Sequence, residues 1–406
     1  MSRSHGVSPR AYAARAGLIV LALCMITPAF ALQGVNNVQI LFGTHTSLSG
    51  PAADWGTESV NGIRMRFDEV NASGGVHGRD LKLIVEDHQY QVPRAIQAAN
   101  KLLNGDQIFA MISALGTPMN NAVLQKQLDL GVPNLFPYSG ARSMGEPAHR
   151  LKFTATPTYY DATRAGLRYL MEKEGYRSVC VQYQSTDYGQ EVYEAVLDEL
   201  TQAGLTITES GQHQPTDTEF TATVARMQAA GCQVIVLGTI VRDTILIANT
   251  TRKLDWDVAL LGTLASYSSV TIERGGEAVD GFYATTPFRW LDLESAGRRV
   301  KRWINDYTAR FGHAPGAAAM AGYTSASIVV KALQRAGRNL TIDSFIDALE
   351  SMRGYKSIFG NVYSFGPDKH NGLSAPLIAQ VRNGAWRRIA GPLVTREASA
   401  VLTQRN

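Results

Sequence analysis

Strand-like apolar runs alternate with helix-length amphipathic segments from Val38 almost to the end of the chain. That alternation restricts the fold more than any other feature, because it demands parallel sheets covered by helices. The expected strands of the first half are Val38–Thr44, Leu81–Asp87, Ile108–Ser113, Pro133–Phe136 and Leu151–Thr154. Helices fit between them at Gly56–Val70, Pro93–Asn104 and Met119–Leu128. The first shows Val60, Ile63, Phe67 and Val70 on one face, at 3.6-residue spacing. A second unit follows Thr154-Ala155-Thr156-Pro157. It has helices at Tyr159–Glu174, Glu191–Ala203, Phe220–Ala229 and Thr244–Thr251. Its strands are expected at Val179–Tyr183, Leu205–Ser210, Val234–Gly238, Val258–Leu261 and Gly281–Thr285. After Thr285-Thr286-Pro287 come helices Ser295–Phe311 and Ala317–Ala336. The Gly366-Pro367-Asp368 turn then leads to a hairpin of Leu377–Val381 and Ala385–Ile389.

The first 31 residues do not belong to this pattern. Arg3, Arg10 and Arg15 precede the apolar stretch Gly17–Ile26, and Ala29-Phe30-Ala31 forms an A-x-A cleavage site, the signature of an export signal. The apolar stretch is shorter than a membrane span needs. Lipid attachment at Cys24 is the alternative processing route. The expected mature chain starts at Leu32 and has about 375 residues, too many for one ordinary core, so two domains are expected. Without the three signal arginines, 36 of the 39 basic residues remain against 35 acidic ones. A nearly neutral surface argues against nucleic acid or an anionic membrane as partner. No later apolar run reaches spanning length, and a soluble product is expected. Cys180 and Cys232 remain, without metal or redox spacing. They are either two buried thiols or one disulfide.

The segment Thr46-Ser47-Leu48-Ser49-Gly50-Pro51-Ala52-Ala53-Asp54-Trp55-Gly56 joins the first strand to the first helix. In open α/β sheets, ligands bind where such strand ends meet helix amino termini. Phe109–Thr117 and Val234–Thr239 echo each other as a buried strand ending in a Gly/Thr loop before a helix. Two lobes facing one cleft are implied.

Four motifs carry a resemblance that covers essentially all of the mature chain: Leu48-Ser49-Gly50-Pro51 with Trp55 four residues on; Asn71-Ala72-Ser73-Gly74-Gly75-Val76-His77-Gly78-Arg79; Asp187-Tyr188-Gly189-Gln190; and Asp217-Thr218-Glu219-Phe220. The chain resembles the type I periplasmic binding proteins of the branched-chain amino-acid-binding family, the solute receptors of ABC importers. The resemblance implies two Rossmann-like lobes joined by three hinge crossovers, with ligand held between them. It implies a first lobe of residues 32–155 and 287–358, a second of 156–286 and 359–395, a tail at 396–406, and a third crossover near Ile358–Asn361. It also implies a periplasmic location, a membrane permease as partner, no cofactor and a monomer.

The resemblance further implies that an α-carboxylate is held at Leu115, Gly116 and Thr117, and at Tyr138, Ser139 and Gly140. Gly140 stands where the family has a hydroxyl, so its N–H or Ser139 must serve instead. Leu264 stands where the family places the acid that neutralises the ligand ammonium, and Ile240 where an aromatic hydroxyl supports it. Burying an ammonium without an anion costs several kcal/mol, so an amine-free, largely apolar carboxylate is expected. Asp243 or Asp187 would rescue the amine site if either reached it. Trp55 and Tyr188 are expected as pocket walls. Ala318 and Met320, smaller than the family's aromatics, imply a roomier site.

No G-x-S-x-G, P-loop, H-E-x-x-H, G-x-G-x-x-G or C-x-x-C motif is present, and no nucleophile is assembled with a base. His45 and His77 are read as solvated loop residues. A sensor ectodomain of the same fold, docking on a membrane signalling protein, is the second functional class. An amide- or urea-type receptor is a third, against which Leu264 and Ile240 argue.

Overall fold

A computed structural model describes residues 1–2, 32–291 and 296–393. The export signal, Cys24, the start of the helix expected at Ser295 and the tail at 396–406 lie outside the described residues.

The first sheet is built by β1 (Gln39–Thr46), β2 (Asp80–Asp87), β3 (Ala110–Ile112), β4 (Asn134–Leu135) and β5 (Lys152–Phe153). All its pairings are parallel, in the order β2-β1-β3-β4-β5. Helices α1 (Ala53–Asn71), α2 (Val92–Asn100) and α3 (Thr117–Asp129) connect the strands. The helix expected at Pro93–Asn104 changes at Lys101 into a π-helical turn, Lys101–Gly105, that buries Leu102 and Leu103.

The chain then enters the second sheet through α4 (Tyr159–Lys173), β6 (Val179–Gln184), α5 (Asp187–Gln202), β7 (Glu209–His213), α6 (Thr221–Ala229), β8 (Val234–Gly238), α7 (Val241–Lys253), β9 (Ala259–Gly262), α8 (Ser269–Gly275) and β10 (Tyr283–Thr286). Helix α5 begins four residues earlier than the apolar periodicity predicts, because Thr186 caps it through the Gly189 N–H. Strand β7 begins four residues later than expected, since Leu205–Ile207 belong to the loop after α5.

The chain returns to the first lobe as α9 (Arg298–Phe311), α10 (Ala317–Ala336), α11 (Ile342–Glu350), β11 (Tyr355–Lys356) and β12 (Val362–Tyr363). Helix α11, absent from the sequence reading, starts at a capping box of Thr341 and Ser344. Helices α1 and α10 lie nearly in backbone contact. A Cβ on Gly62 would fall 2.2 Å from the Ala319 carbonyl oxygen, and one on Gly322 2.1 Å from that of Ser59. The last two strands, β13 (Leu377–Arg382) and β14 (Ala385–Ala390), complete a second sheet of order β14-β13-β10-β9-β8-β6-β7. Its β13–β14 hairpin is antiparallel.

The third crossing differs from expectation. Tyr363 and Phe365 are buried with Phe136 and Phe153 in the first lobe's core. Gly372 donates its N–H to the Thr154 carbonyl beside the first crossing. The chain joins the second sheet only at Leu377. The crossing therefore lies after Gly372, not near Ile358–Asn361, because aromatic burial ties residues 363–365 to the first lobe.

Cys180 on β6 and Cys232 just before β8 form a disulfide, with Cα atoms 5.8 Å apart. Pairing replaces the reading of two free thiols, since β6 and β8 are direct neighbours. Among the described residues, no helix is long and apolar enough to cross a membrane.

Candidate functional site: the interlobe cavity

The first sheet reverses its strand order between β1 and β3, and the second between β6 and β8. Such switch points open crevices at the carboxyl ends of strands. Trp55 follows β1, Leu115–Thr117 follow β3, Tyr188 follows β6 and Ile240 follows β8. Together with Tyr138 after β4 and Leu264 after β9, these residues line a narrow cavity of about 40 Å³. Ser139 and Gly140 do not line it. They open instead onto a groove of about 1000 Å³ beside the first and third crossings.

The first-lobe end is organised around Thr117, the first residue of α3. Gly116, at φ +94°, makes the turn into the helix, a backbone region that favours glycine. The Asn120 amide braces the loop by donating to the Ala114 and Gly116 carbonyls at 2.9 and 2.8 Å. The Thr117 and Ser139 hydroxyls share a 2.7 Å hydrogen bond, so Ser139 acts on the cavity through Thr117. Three of the expected backbone donors are engaged inside the lobe. Leu115 N–H bonds the His45 carbonyl, Gly116 N–H that of Tyr138, and Tyr138 N–H that of Ala114. What remains for an anion is the Thr117 hydroxyl and the first turn of α3, where Thr117 and Met119 keep N–H groups without intrahelical acceptors and Pro118 has none.

The second-lobe end carries no charge. Leu264 and Ile240 are buried apolar walls. Asp243 is buried elsewhere, accepting from Gln184 and His213 and pairing with Arg242. Asp187 accepts from the Asn121 amide at 2.6 Å. Neither lines the cavity. Tyr188 does, but its hydroxyl is already within bonding distance of the Thr239 carbonyl and the Thr263 hydroxyl.

The sequence reading missed Ala52, Tyr90 and Tyr159 as cavity residues, while Ala265, expected beside Leu264 to close over the ligand, lines the cavity. For the three missed residues, positions after β1, β2 and the first crossing were the available signal. The rings form two facing pairs: Trp55 with Tyr138 at 5.2 Å, and Tyr159 with Tyr188 at 4.7 Å. Burial raises every phenol here above its ordinary range, Tyr159 to about 12, so all are neutral donors near neutrality. The Trp55 indole nitrogen is buried with no hydrogen-bond partner among the described residues.

The site is tighter than expected. Ala318 and Met320 are buried in the α10 core and do not face the cavity. His45 is fully buried rather than solvated, and burial lowers its pKa to about 3. His77 is exposed, with its ring at the Gln334 carbonyl.

Contacts across the cleft surround the cavity. Ser268 donates its hydroxyl to Asp54 at 2.9 Å. The Arg142 guanidinium reaches Glu191 at 2.9 Å and Glu194 at 2.6 Å, and stacks 4.3 Å over the Tyr160 ring.

Residues 39–385 match the family model described as periplasmic binding protein. The chain belongs to the periplasmic binding protein family. Members of this family are solute-binding proteins, not enzymes. As a periplasmic binding protein, the chain is 20% identical over 317 residues to the leucine-, isoleucine-, valine-, threonine- and alanine-binding protein of Pseudomonas aeruginosa, covering 78% of this chain and 84% of that one. It is 22% identical over 287 residues to the leucine-specific-binding protein of Salmonella typhimurium, covering 70% and 74%. Among solved structures, a leucine-binding protein from Thermotoga maritima superposes with a TM-score of 0.78 at 18% identity, covering 88% of this chain and 99% of that one. A fatty acid ABC transporter substrate-binding protein from Thermomonospora curvata gives 0.81 at 23% identity, covering 91% and 95%.

Proposed function

We propose that this periplasmic binding protein is the receptor of an ABC importer for a small, largely apolar carboxylate without a free amine. The observation that carries the reading is the lining of the cavity, which contains aromatic, aliphatic and hydroxyl groups and no charged side chain. A carboxylate finds a favourable dipole and open N–H groups at α3. An ammonium would find Leu264 and Ile240, and its desolvation would go uncompensated.

The Pseudomonas relative is described as binding amino acids and the Thermomonospora structure as binding fatty acids. Both descriptions are compatible with a carboxylate at α3, and they differ at the end where this chain lacks an anion. In this reading ligand docks on the first lobe at Thr117, and the second lobe closes with Tyr188, Ile240 and Leu264. The closed form then docks on a permease in the inner membrane.

A thermal-shift screen of the chain from Leu32 tests this. One set of probes holds branched-chain amino acids, the other the same carbon skeletons without the amine together with aromatic acids. A ligand that binds only the folded state raises the melting temperature by mass action. A rise with the amine-free set alone is expected. A rise with leucine or valine at low micromolar concentration overturns the reading.

A further inference from the structure

We propose that Tyr159 supplies the second polar contact to the ligand carboxylate, in the place left by the side chain missing at Gly140. This rests on the carboxylate reading above and adds a residue that no motif marks.

Tyr159 is the first residue of α4, on the second-lobe side of the first crossing. Its backbone N–H donates to the Gly140 carbonyl at 2.6 Å, which fixes the two residues against each other. A Cβ at position 140 would lie 3.1 Å from Cδ1 and 3.2 Å from Cε1 of the Tyr159 ring. A side chain at 140 and this ring placement are therefore in direct competition. The ring goes on to line the cavity with Thr117 and packs at a tilt against Tyr188.

The polarity of the phenol suits the role. The phenol carries one proton that it can donate. No acceptor for that proton is found among the described residues. Burial keeps the group protonated, with its pKa near 12. The neighbouring carboxylate of Glu191 is engaged by Arg142. A carboxylate between Thr117 and Tyr159 would accept that proton in a hydrogen bond. It also links the lobes through one anion, because Thr117 belongs to the first lobe and Tyr159 to the first helix of the second.

The test is calorimetric titration of wild type and Tyr159→Phe with two probes, phenylacetate and 4-methylpentanoate. The variant is expected to weaken both by the same factor, about 10- to 100-fold for a hydrogen bond to a charged group. The unliganded melting temperature should change little. A role in packing alone would penalise the aromatic and the branched tail by different factors. Equal affinities in wild type and variant, or unequal factors for the two acids, overturn the proposal and leave the carboxylate reading standing. Wild type binding neither acid overturns both. Should the phenylalanine variant be too unstable to titrate, Tyr159→Ala is compared with Tyr159→Ala combined with Gly140→Ser. The added hydroxyl is expected to restore acid binding, and no gain over Tyr159→Ala alone counts against the proposal.

Discussion

Arg142 and Glu191 meet across the cleft through both backbone and side chain. The Arg142 amide donates to a Glu191 carboxylate oxygen at 2.8 Å, and the guanidinium Nε donates to the same oxygen at 2.9 Å. Arg142 follows the loop of Tyr138–Ala141 in the first lobe, and Glu191 lies in the first turns of α5 in the second. Glu191 is buried, and desolvation pushes its carboxyl up to about 7 against the pull of Arg142, so removing Arg142 leaves a poorly solvated acid without its partner.

Arg142→Ala is expected to shift the lobes toward an open arrangement without touching the ligand. Apparent affinity falls with the fraction of closed, binding-competent protein. Loss of charge-assisted bonds worth about 1–3 kcal/mol predicts roughly a 10- to 100-fold weaker Kd, mostly through faster dissociation. Small-angle scattering of the unliganded variant should show a larger radius of gyration. An unchanged radius and Kd would remove Arg142 from closure.

Thr117→Ala is expected to weaken a carboxylate ligand by about 1–3 kcal/mol, because it removes a hydroxyl lining the cavity and leaves Ser139 without its partner. Leu264→Glu is the converse change at the opposite wall, and it should shift preference toward amino acids. Titration of both variants with leucine and 4-methylpentanoate measures the exchange. A Leu264→Glu protein that still ignores leucine would show that position 264 does not face the amine end.

Glu58 on α1 predicts a pH dependence of stability. Burial raises its pKa to about 8, helped by Asp54 and opposed by backbone hydrogen bonds from Ala319 and Gly316 at the start of α10, with Glu273 adding a smaller upward push. A carboxyl group raised on folding costs nothing below its ordinary pKa of 4.5. Its cost grows as pH rises from there toward 8. Glu58→Gln removes that term, so its melting temperature should gain on wild type as pH rises from 5 to 8. Buried His45 and His88, both lowered, act below pH 6.5 and are common to both proteins. A pH-independent difference between the two would exclude ionisation of Glu58 in this range.

The Cys180–Cys232 disulfide closes a loop with a sequence separation of 52. Chain entropy for such a loop predicts up to about 4 kcal/mol of stabilisation. Reduction, or Cys232→Ser, should lower the melting temperature by several degrees and leave ligand affinity nearly unchanged, since neither cysteine lines the cavity. A loss of affinity at equal folded fraction would connect β6 and β8 to the site more tightly than the geometry implies.

Much of this architecture was legible in the sequence because its signals are local. Helix α10 carries a continuous apolar and small-residue pattern, and Ala317–Ala336 matches the expectation at both ends. The turn-to-helix motif at Thr46–Gly56 placed Trp55 at a strand end, where a switch point collects ligand contacts. Helix α11 escaped because it is short and its capping box uses Ser344 rather than an acid or amide.

The sequence by itself determined the alternation of strands and helices, the two-lobed class and the absence of an acid at position 264, because periodicity and residue identity need no partner to be read. Only the tertiary structure decided which groups are free to meet a ligand. It engages the N–H groups of Leu115, Gly116 and Tyr138 within the first lobe. It buries Asp243 against His213 and Arg242, and it brings Tyr159 into the space beside Gly140. Each depends on residues far apart in the chain competing for the same volume or the same hydrogen bond, and that competition exists only once the lobes have folded and closed.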